Sequence, residues 1–414
     1  MRRVLLFSYL SYDNNNYKGG GWVNSLADLL SHIDNYKIGI VYVTNNRNTL
    51  KRIQGNIEYY PILRRDSVFK KIYRFCLRKP DFIQEDNIVA TIVEDFKPDI
   101  IQLFGLETPF GSILRNFTQI PIVVHIQGIC STIDEKWFPL GFSRMKVWWY
   151  SSLKEKITRK TSNDVYKRFI KLSLAERINY NIYNYYLGRT EWDYAVSRML
   201  SPMSKYYQCN EVLRPEFYQK VWNFTESNKV VVSTIMNGEI YKGFDTILQV
   251  AAVLKQQNVN FEWNIYGVYE NFSLRRVIEK CVNLKFSDNN IYFRGGKNAN
   301  ELVEVLLTST LYVHPSHIDN SPNALCEAML LGVPCIATYV GGVPSLIENR
   351  ITGFLVPDFD IYQMAYMITH LSNNKEKMNL ISLNARKVAL ERHNKKNILI
   401  QLDNVYTDIL KSKN

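Results

Sequence analysis

The sequence predicts an α/β protein built from two doubly wound parallel sheets, and three observations carry that prediction. Short runs that are apolar at every position recur along the chain, each closed by a turn or loop; "KIGIVYV" and "PIVVHIQG" are two of them. Runs apolar on both faces suit buried parallel strands rather than half-exposed antiparallel ones. Helical patterns such as "WVNSLADLLSHI" and "FDTILQVAAVLKQ" lie between the runs, which is the alternation of a parallel sheet covered on both sides. The runs also fall into two series parted near residues 212–228, and 414 residues are enough for two or three domains.

The first series starts at "RVLLFSYL", passes a glycine-rich turn at Lys18-Gly19-Gly20-Gly21, and continues through "KIGIVYV", "DIIQLFG" and "PIVVHIQG". The second starts at "NKVVVSTI" and continues through "FEWNIYG", "NIYFRG", "TLYVHPS", "VPCIAT" and "TGFLVP". A long amphipathic pattern, "NILIQLDNVYTDILK", closes the chain. We therefore expect a first domain over 1–215 with a helical insertion at about 130–192 and a second over 216–390. The last helix, 391–414, is expected to return to the first domain.

Composition narrows the class. The sequence is 46% hydrophobic and 22% charged, ordinary for a globular chain and unlike a disordered one. The six cysteines are scattered without CxxC spacing, which argues against a zinc site or a disulfide scaffold and suits a reducing, cytoplasmic compartment. The opening "MRRVLLFSYLSYDNNN" reads as a first strand rather than a signal peptide, since no small-residue cleavage site follows. No stretch reaches the ~20 apolar residues of a transmembrane helix.

The net charge of +12 is concentrated. Residues 64–79 hold seven basic residues and one acid, and residues 144–177 hold ten basic and three acidic. Those two stretches sum to +13, leaving −1 for everything else. Such patches imply a specific anionic surface. The second stretch interleaves its cations with Trp148, Trp149, Tyr150 and Tyr166, a pattern suited to an anionic membrane surface at the inner face of the cell membrane. A solvated helical face stays open as the alternative. No nucleic-acid-binding motif is present.

Ligands of open α/β sheets bind outside the carboxyl ends of the strands, so candidate site residues are sought there. Gly20 and Gly21 follow the first strand, where glycines let backbone approach an anion, although a plain turn fits equally. His125 ends "PIVVH" and is either a core histidine or a site residue. Lys242 stands at the head of a helix after "STIMNGEIY", as a phosphate-binding point charge or a solvated lysine.

In "HIDNSPNALCEAMLLGVP", Ser321 is a good N-cap, Pro322 a good first helical residue and Gly332 a good terminator. The N–H groups of Asn323, Ala324 and Leu325 would then offer an anion site between Asp319 and Glu327, or simply begin a well-capped core helix. Asp358-Phe359-Asp360 has the form of a metal-binding DxD, but its place before a helix favours capping, and no metal ligands are assigned.

Lys242-Gly243, "NIYG", "YFRGGKN", "YVHPSHIDNSPNALCEAMLLGVPCIAT", "YVGGVPSLI" and "TGFLVP" together resemble family 4 of the retaining nucleotide-sugar-dependent glycosyltransferases (glycosyltransferase group 1), in that family's order and spacing. The first half agrees more loosely, through Gly19–Gly21 and His125. The resemblance implies the GT-B fold, two Rossmann-like domains facing a cleft. It implies a glycosyl group moved from a nucleotide diphosphate sugar to a saccharide or lipid-linked acceptor hydroxyl, with the anomeric configuration kept and no bound cofactor or metal.

Carried over by residue, Lys242 would hold the donor diphosphate, Asp319 the donor sugar hydroxyls and Glu327 the ribose. Backbone at Asn320, Ser321, Asn323, Ala324 and Leu325 would hold sugar and phosphate. Gly20 and Gly21 would admit the phosphate, and His125 would lie by the transferred sugar. Lys242, Asp319 and His125 would be the catalytic group. The sequence departs from the family at Asp319, where Glu is usual, at Asn237, where an arginine is common, and at Ser345, where an acid is common. A nucleotide-sugar epimerase on the same fold, or a catalytically silent nucleotide-sugar-binding subunit, remain as alternatives.

Overall fold

The computed structural model describes residues 1–9, 21–31, 33, 35–64 and 86–412. Gly20, and all of the first basic stretch except Arg64, lie outside the described residues. Two compact units result. One gathers Met1–Asp134, Lys167–Val212 and His393–Asn414, the other Glu135–Tyr166 and Leu213–Arg392.

Among the described residues the first unit has one eight-stranded sheet. Its strands are β1 (Arg2–Phe7), β2 (Tyr36–Thr44), β3 (Arg52–Gln54), β4 (Ile57–Leu63), β5 (Ile100–Phe104), β6 (Ile122–His125), β7 (Tyr185–Gly188) and β8 (Lys205–Gln208). They lie in the order β3-β4-β2-β1-β5-β6-β7-β8. Every pairing is parallel except β3 with β4. The reason for all-apolar strands is visible in β1. Val4 and Leu6 enter a core on one face, with Leu26, Ile40 and Tyr406. Leu5 and Phe7 enter a second core on the other face, with Val41, Leu103 and Val124.

The last helix, Lys395–Lys411, belongs to this unit. Ile398, Leu402, Val405, Tyr406 and Ile409 are buried in the same core as Val4, each such side chain worth about 1.5–3 kcal/mol. Arg2 and Asp403 pair at 2.8 Å, and Lys205 and Asp408 at 2.6 Å.

The second unit carries six parallel strands, β9 (Val230–Ile235), β10 (Phe261–Tyr266), β11 (Ile291–Gly295), β12 (Leu311–His314), β13 (Cys335–Thr338) and β14 (Phe354–Val356). Their order, β11-β10-β9-β12-β13-β14, reverses direction between β9 and β12. At such a switch point, loops diverge and leave room for a ligand.

The insertion read as part of the first domain is divided. Residues 135–166 group with the second unit, and 167–192 with the first. Trp137 explains the attachment, since its buried ring lies 5.3 Å from that of Tyr241 beside the second sheet. Helix Arg144–Tyr150 packs against helix Arg275–Val282 of the same unit.

Candidate functional site

The loops after β9 and β12 flank the switch point of the second sheet. Gly243 makes their approach possible. It adopts φ +86°, and a Cβ there would sit 2.0 Å from the carbonyl oxygen of Pro315. A side chain would hold the loops apart, so the glycine sets how near Lys242 comes to the loop after β12. A second glycine acts likewise after β13. At Gly341 (φ +49°) a Cβ would meet the Asp319 carbonyl at 2.0 Å, and Gly342 N–H donates to that carbonyl at 3.0 Å.

Asp319 is thus gripped from both sides. Its Oδ2 accepts from Lys242 Nζ at 2.7 Å and lies 3.1 Å from His314 Nε2. Burial opposes its charge, but the Lys242 ammonium and His314 outweigh burial and hold the carboxyl well below the usual range. Lys242 and Asp319 stand together as an ionised pair.

The helix after β12 spans Asn323–Leu331 and ends at Gly332, which is left-handed at φ 84°. Its start corrects the sequence expectation by one residue. Pro322, with an extended ψ of 113°, is the cap residue and no side chain caps the helix, so Ser321 is not the N-cap and Pro322 is not helical. With its ψ extended, Pro322 stays outside the helix as the non-helical cap, and the first helical residue is Asn323. Leu325 N–H donates to the Pro322 carbonyl at 3.0 Å, so it is not available to an anion. Asn323 and Ala324 occupy the first helical positions, where N–H groups have no acceptor within the helix. The side-chain oxygen of Asn323 and the hydroxyl of Ser316 are buried without a hydrogen-bond partner. Such atoms are uncommon in folded proteins. Asn320 and Ser321, buried, complete the loop.

Glu327 has a partner that the sequence did not suggest. Arg214 grips its carboxylate through two bonds, Nε to Oε1 at 2.6 Å and Nη2 to Oε2 at 2.7 Å. Burial raises the Glu327 carboxyl against the pull of this guanidinium. The planar fork fixes the carboxylate in one orientation, which a lysine would not do.

His317 is a second unanticipated group. Its ring nitrogens lie 2.7 Å from Asp358 Oδ1 and 2.9 Å from Asp245 Oδ1, and it stacks on Phe359 at 4.4 Å. Burial favours the neutral ring, but Asp245 and Asp358 outweigh it and raise the pKa to about 9. An imidazolium donating from both nitrogens follows. Asp245 lies in the first turn of the helix after Lys242, and the backbone N–H of His317 donates to the Tyr241 carbonyl at 2.9 Å. The ring therefore ties together the loops that carry Lys242 and Asp319. Of the acids in Asp358-Phe359-Asp360, Asp360 caps the following helix through Gln363 N–H at 2.9 Å, while Asp358 serves His317 instead.

In the first unit, His125 ends β6 with no exposed surface. It stacks on Phe104 at 5.6 Å, and its Nδ1 lies 3.1 Å from Gln102 Nε2. Burial and Arg189 push its pKa down to about 3, so the ring is neutral. Enclosed this way, the ring offers no surface to a sugar. Gly21 begins helix Gly21–Ser31.

Residues 216–388 match the family described as glycosyl transferases group 1. The chain is 28% identical over 193 residues to N-acetyl-alpha-D-glucosaminyl L-malate synthase of Bacillus anthracis, covering 47% of this chain and 49% of that one. It is 27% identical over 114 residues to the UDP-Gal:alpha-D-GlcNAc-diphosphoundecaprenol alpha-1,3-galactosyltransferase of Escherichia coli, covering 28% and 29%. The chain thus spans about half the length, or less, of these curated relatives. The solved sucrose-phosphate synthase of Thermosynechococcus elongatus has the same fold over 100% of both chains, with a TM-score of 0.73 at 14% identity.

Proposed function

We propose, from a chain that has the two-domain GT-B fold of glycosyltransferases and carries a group 1 glycosyl transferase domain, that it moves a glycosyl group from a nucleotide diphosphate sugar to an acceptor hydroxyl with retained configuration. One observation carries the reading. An ammonium, an ionised carboxylate and the first N–H groups of a helix converge at the switch point of the second sheet. Phosphate binds where cation and helix N-terminus meet, and sugar hydroxyls donate to a carboxylate.

In this reading Lys242 turns from Asp319 to the donor diphosphate, and Asp319 is released to accept from sugar hydroxyls. Glu327, oriented by Arg214, accepts from the ribose. Asn323, Ala324, Asn320 and Ser321 line the phosphate and sugar. As the bond from the anomeric carbon to phosphate oxygen breaks, its electron pair leaves with the diphosphate, where Lys242 and the helix N–H groups stabilise the charge. The acceptor oxygen attacks the same face and its proton passes to the departing phosphate oxygen. No step uses a metal, in keeping with the engagement of Asp358 and Asp360 by His317 and Gln363.

A lipid-linked saccharide at the inner face of the cell membrane is the proposed acceptor. The Escherichia coli relative is named for a diphosphoundecaprenol acceptor, and the basic, aromatic stretch at 144–177 suits such a surface. Release of nucleotide diphosphate across a panel of donor sugars, with a lipid extract as acceptor, tests the proposal. Turnover of one donor only when extract is present supports it. Tight donor binding without release under any condition rejects it in favour of a silent binding subunit.

A further inference from the structure

We infer that the pair of short helices at residues 144–157 is a docking surface that seats the donor-holding unit on an anionic lipid bilayer. The inference deepens the membrane placement proposed above and does not depend on the transfer chemistry. Helix Arg144–Tyr150 buries only Val147. Outward it presents Met145 and Trp149, one turn apart, together with Trp148. On the next helix, Leu153–Ile157, no residue is buried, and its two ends, again one turn apart, are 73% and 68% exposed. Trp149 itself is 68% exposed. A lone exposed apolar residue needs no explanation, but five within thirteen positions form a patch.

The charge around the patch is one-sided. Residues 144–160 hold six basic side chains and a single acid, Glu155. That acid is used locally, in a capping box with Ser152. Lys156 Nζ lies 4.5 Å from the centre of the Trp148 ring and donates to the Trp149 carbonyl at 2.9 Å. The aromatic pair is thus held by the following helix rather than loose on a tail. Indole rings settle at the boundary of headgroup and acyl chain, while lysines reach past them to lipid phosphates. Protein interfaces are depleted in lysine at their centres, so cations threaded between the apolar residues favour lipid over a protein partner.

The patch is anchored to the unit that carries Lys242. Besides the contact of Trp137 with Tyr241, Lys136 lies 3.7 Å from Asp358 Oδ2, the carboxylate that holds His317. Docking would therefore bring the donor site itself to the bilayer, in contrast to the sequence expectation of contact through the first domain.

Flotation of the purified full chain with phosphatidylcholine vesicles, with and without phosphatidylglycerol, tests this. The wild type floats only with the anionic lipid, and added salt weakens the binding. The double variant Trp148→Ser/Trp149→Ser stays at the bottom. Lys154→Gln with Lys160→Gln binds about thirtyfold more weakly, from about fivefold per lysine. Circular dichroism of each variant matches the wild type, since these side chains are exposed. The inference is overturned if the wild type does not float on anionic vesicles, or if the tryptophan variant floats equally well. A tryptophan-dependent dimer in light scattering, without flotation, would assign the surface to a second copy instead. Nucleotide release in detergent, measured in parallel, is unchanged in the tryptophan variant; its loss would assign these residues to the transfer site and overturn docking.

Discussion

Replacing His317 with Gln removes a charged ring from between two buried carboxylates, and its consequence for stability can be worked out. The folded pKa is about 9 against 6.5 for an ordinary histidine. The difference, 9 − 6.5 = 2.5, corresponds to about 3 kcal/mol at ~1.36 kcal/mol per unit. The sign follows from the direction. A group whose pKa is raised on folding binds its proton more tightly in the native state. Its contribution is complete below 6.5 and disappears as pH rises through about 9. The groups facing the ring are Asp245 and Asp358, with Lys136 beside the latter and Phe359 stacked against it.

Urea unfolding followed by tryptophan fluorescence reads this directly, because five of the seven tryptophans belong to the second unit. Wild-type stability should fall relative to His317→Gln by about 3 kcal/mol across that window. Titrating groups away from this cluster are common to both proteins and cancel in the difference. The variant should be less stable at neutral pH, since it leaves two carboxylates facing each other. A difference between the two proteins that stays constant from pH 6.5 to about 9 would refute an imidazolium at this position.

Other perturbations separate the roles of neighbouring residues. Lys242→Ala should lower kcat by roughly a hundredfold or more, the scale for one lost group at a developing anion; near-normal turnover in the nucleotide-release assay would count against its role. Asp319→Glu restores the longer acid and should re-rank donor sugars by kcat/KM while leaving nucleotide affinity near its original value, and an unchanged ranking would mean that the shorter reach selects nothing. Arg214→Met strands the buried Glu327 carboxylate and should cost about 3–5 kcal/mol of stability, with much of the loss recovered on adding Glu327→Gln; equal urea midpoints for the single and double variants would contradict the pairing. Gly243→Ala places a Cβ 2.0 Å from the Pro315 carbonyl at φ +86°, so the melting midpoint should drop by the equivalent of at least ~1 kcal/mol.

How much of this was legible depended on whether the determining physics was local. The all-apolar runs revealed the sheets because a strand covered on both faces must be apolar at every position, as Val4 to Phe7 are. The same rule passed over β3, whose three residues are exposed, and β8, whose ends are. It also missed β4, where Pro61 and Glu58 interrupt the run. Gly332 could be read as a helix stop because a left-handed residue has a local cost that glycine avoids. The start at Pro322 was misplaced because Ser-Pro satisfies two start signals at once, and the extended ψ of the proline decided between them.

The candidate site divides along the same line. Lys242 and Asp319 were legible because strand ends mark them. Their pairing depends on Gly243 and Gly341 letting loops from three different strands touch, which is a property of the assembled sheet. Arg214 lies 113 residues before Glu327, and no spacing rule joins them. The signal that was available for His317 lay in "HPSHIDN", two histidines bracketing a strand end beside an acid. Each takes a carboxylate, His314 that of Asp319 and His317 those of Asp245 and Asp358. Because Lys242 is paired with Asp319, the proposed function requires an entering donor to displace it. In that proposal the pair parts for a ligand that offers a phosphate to one partner and hydroxyls to the other. Such a double demand would discriminate a nucleotide sugar from a free nucleotide or a free sugar more sharply than either group alone.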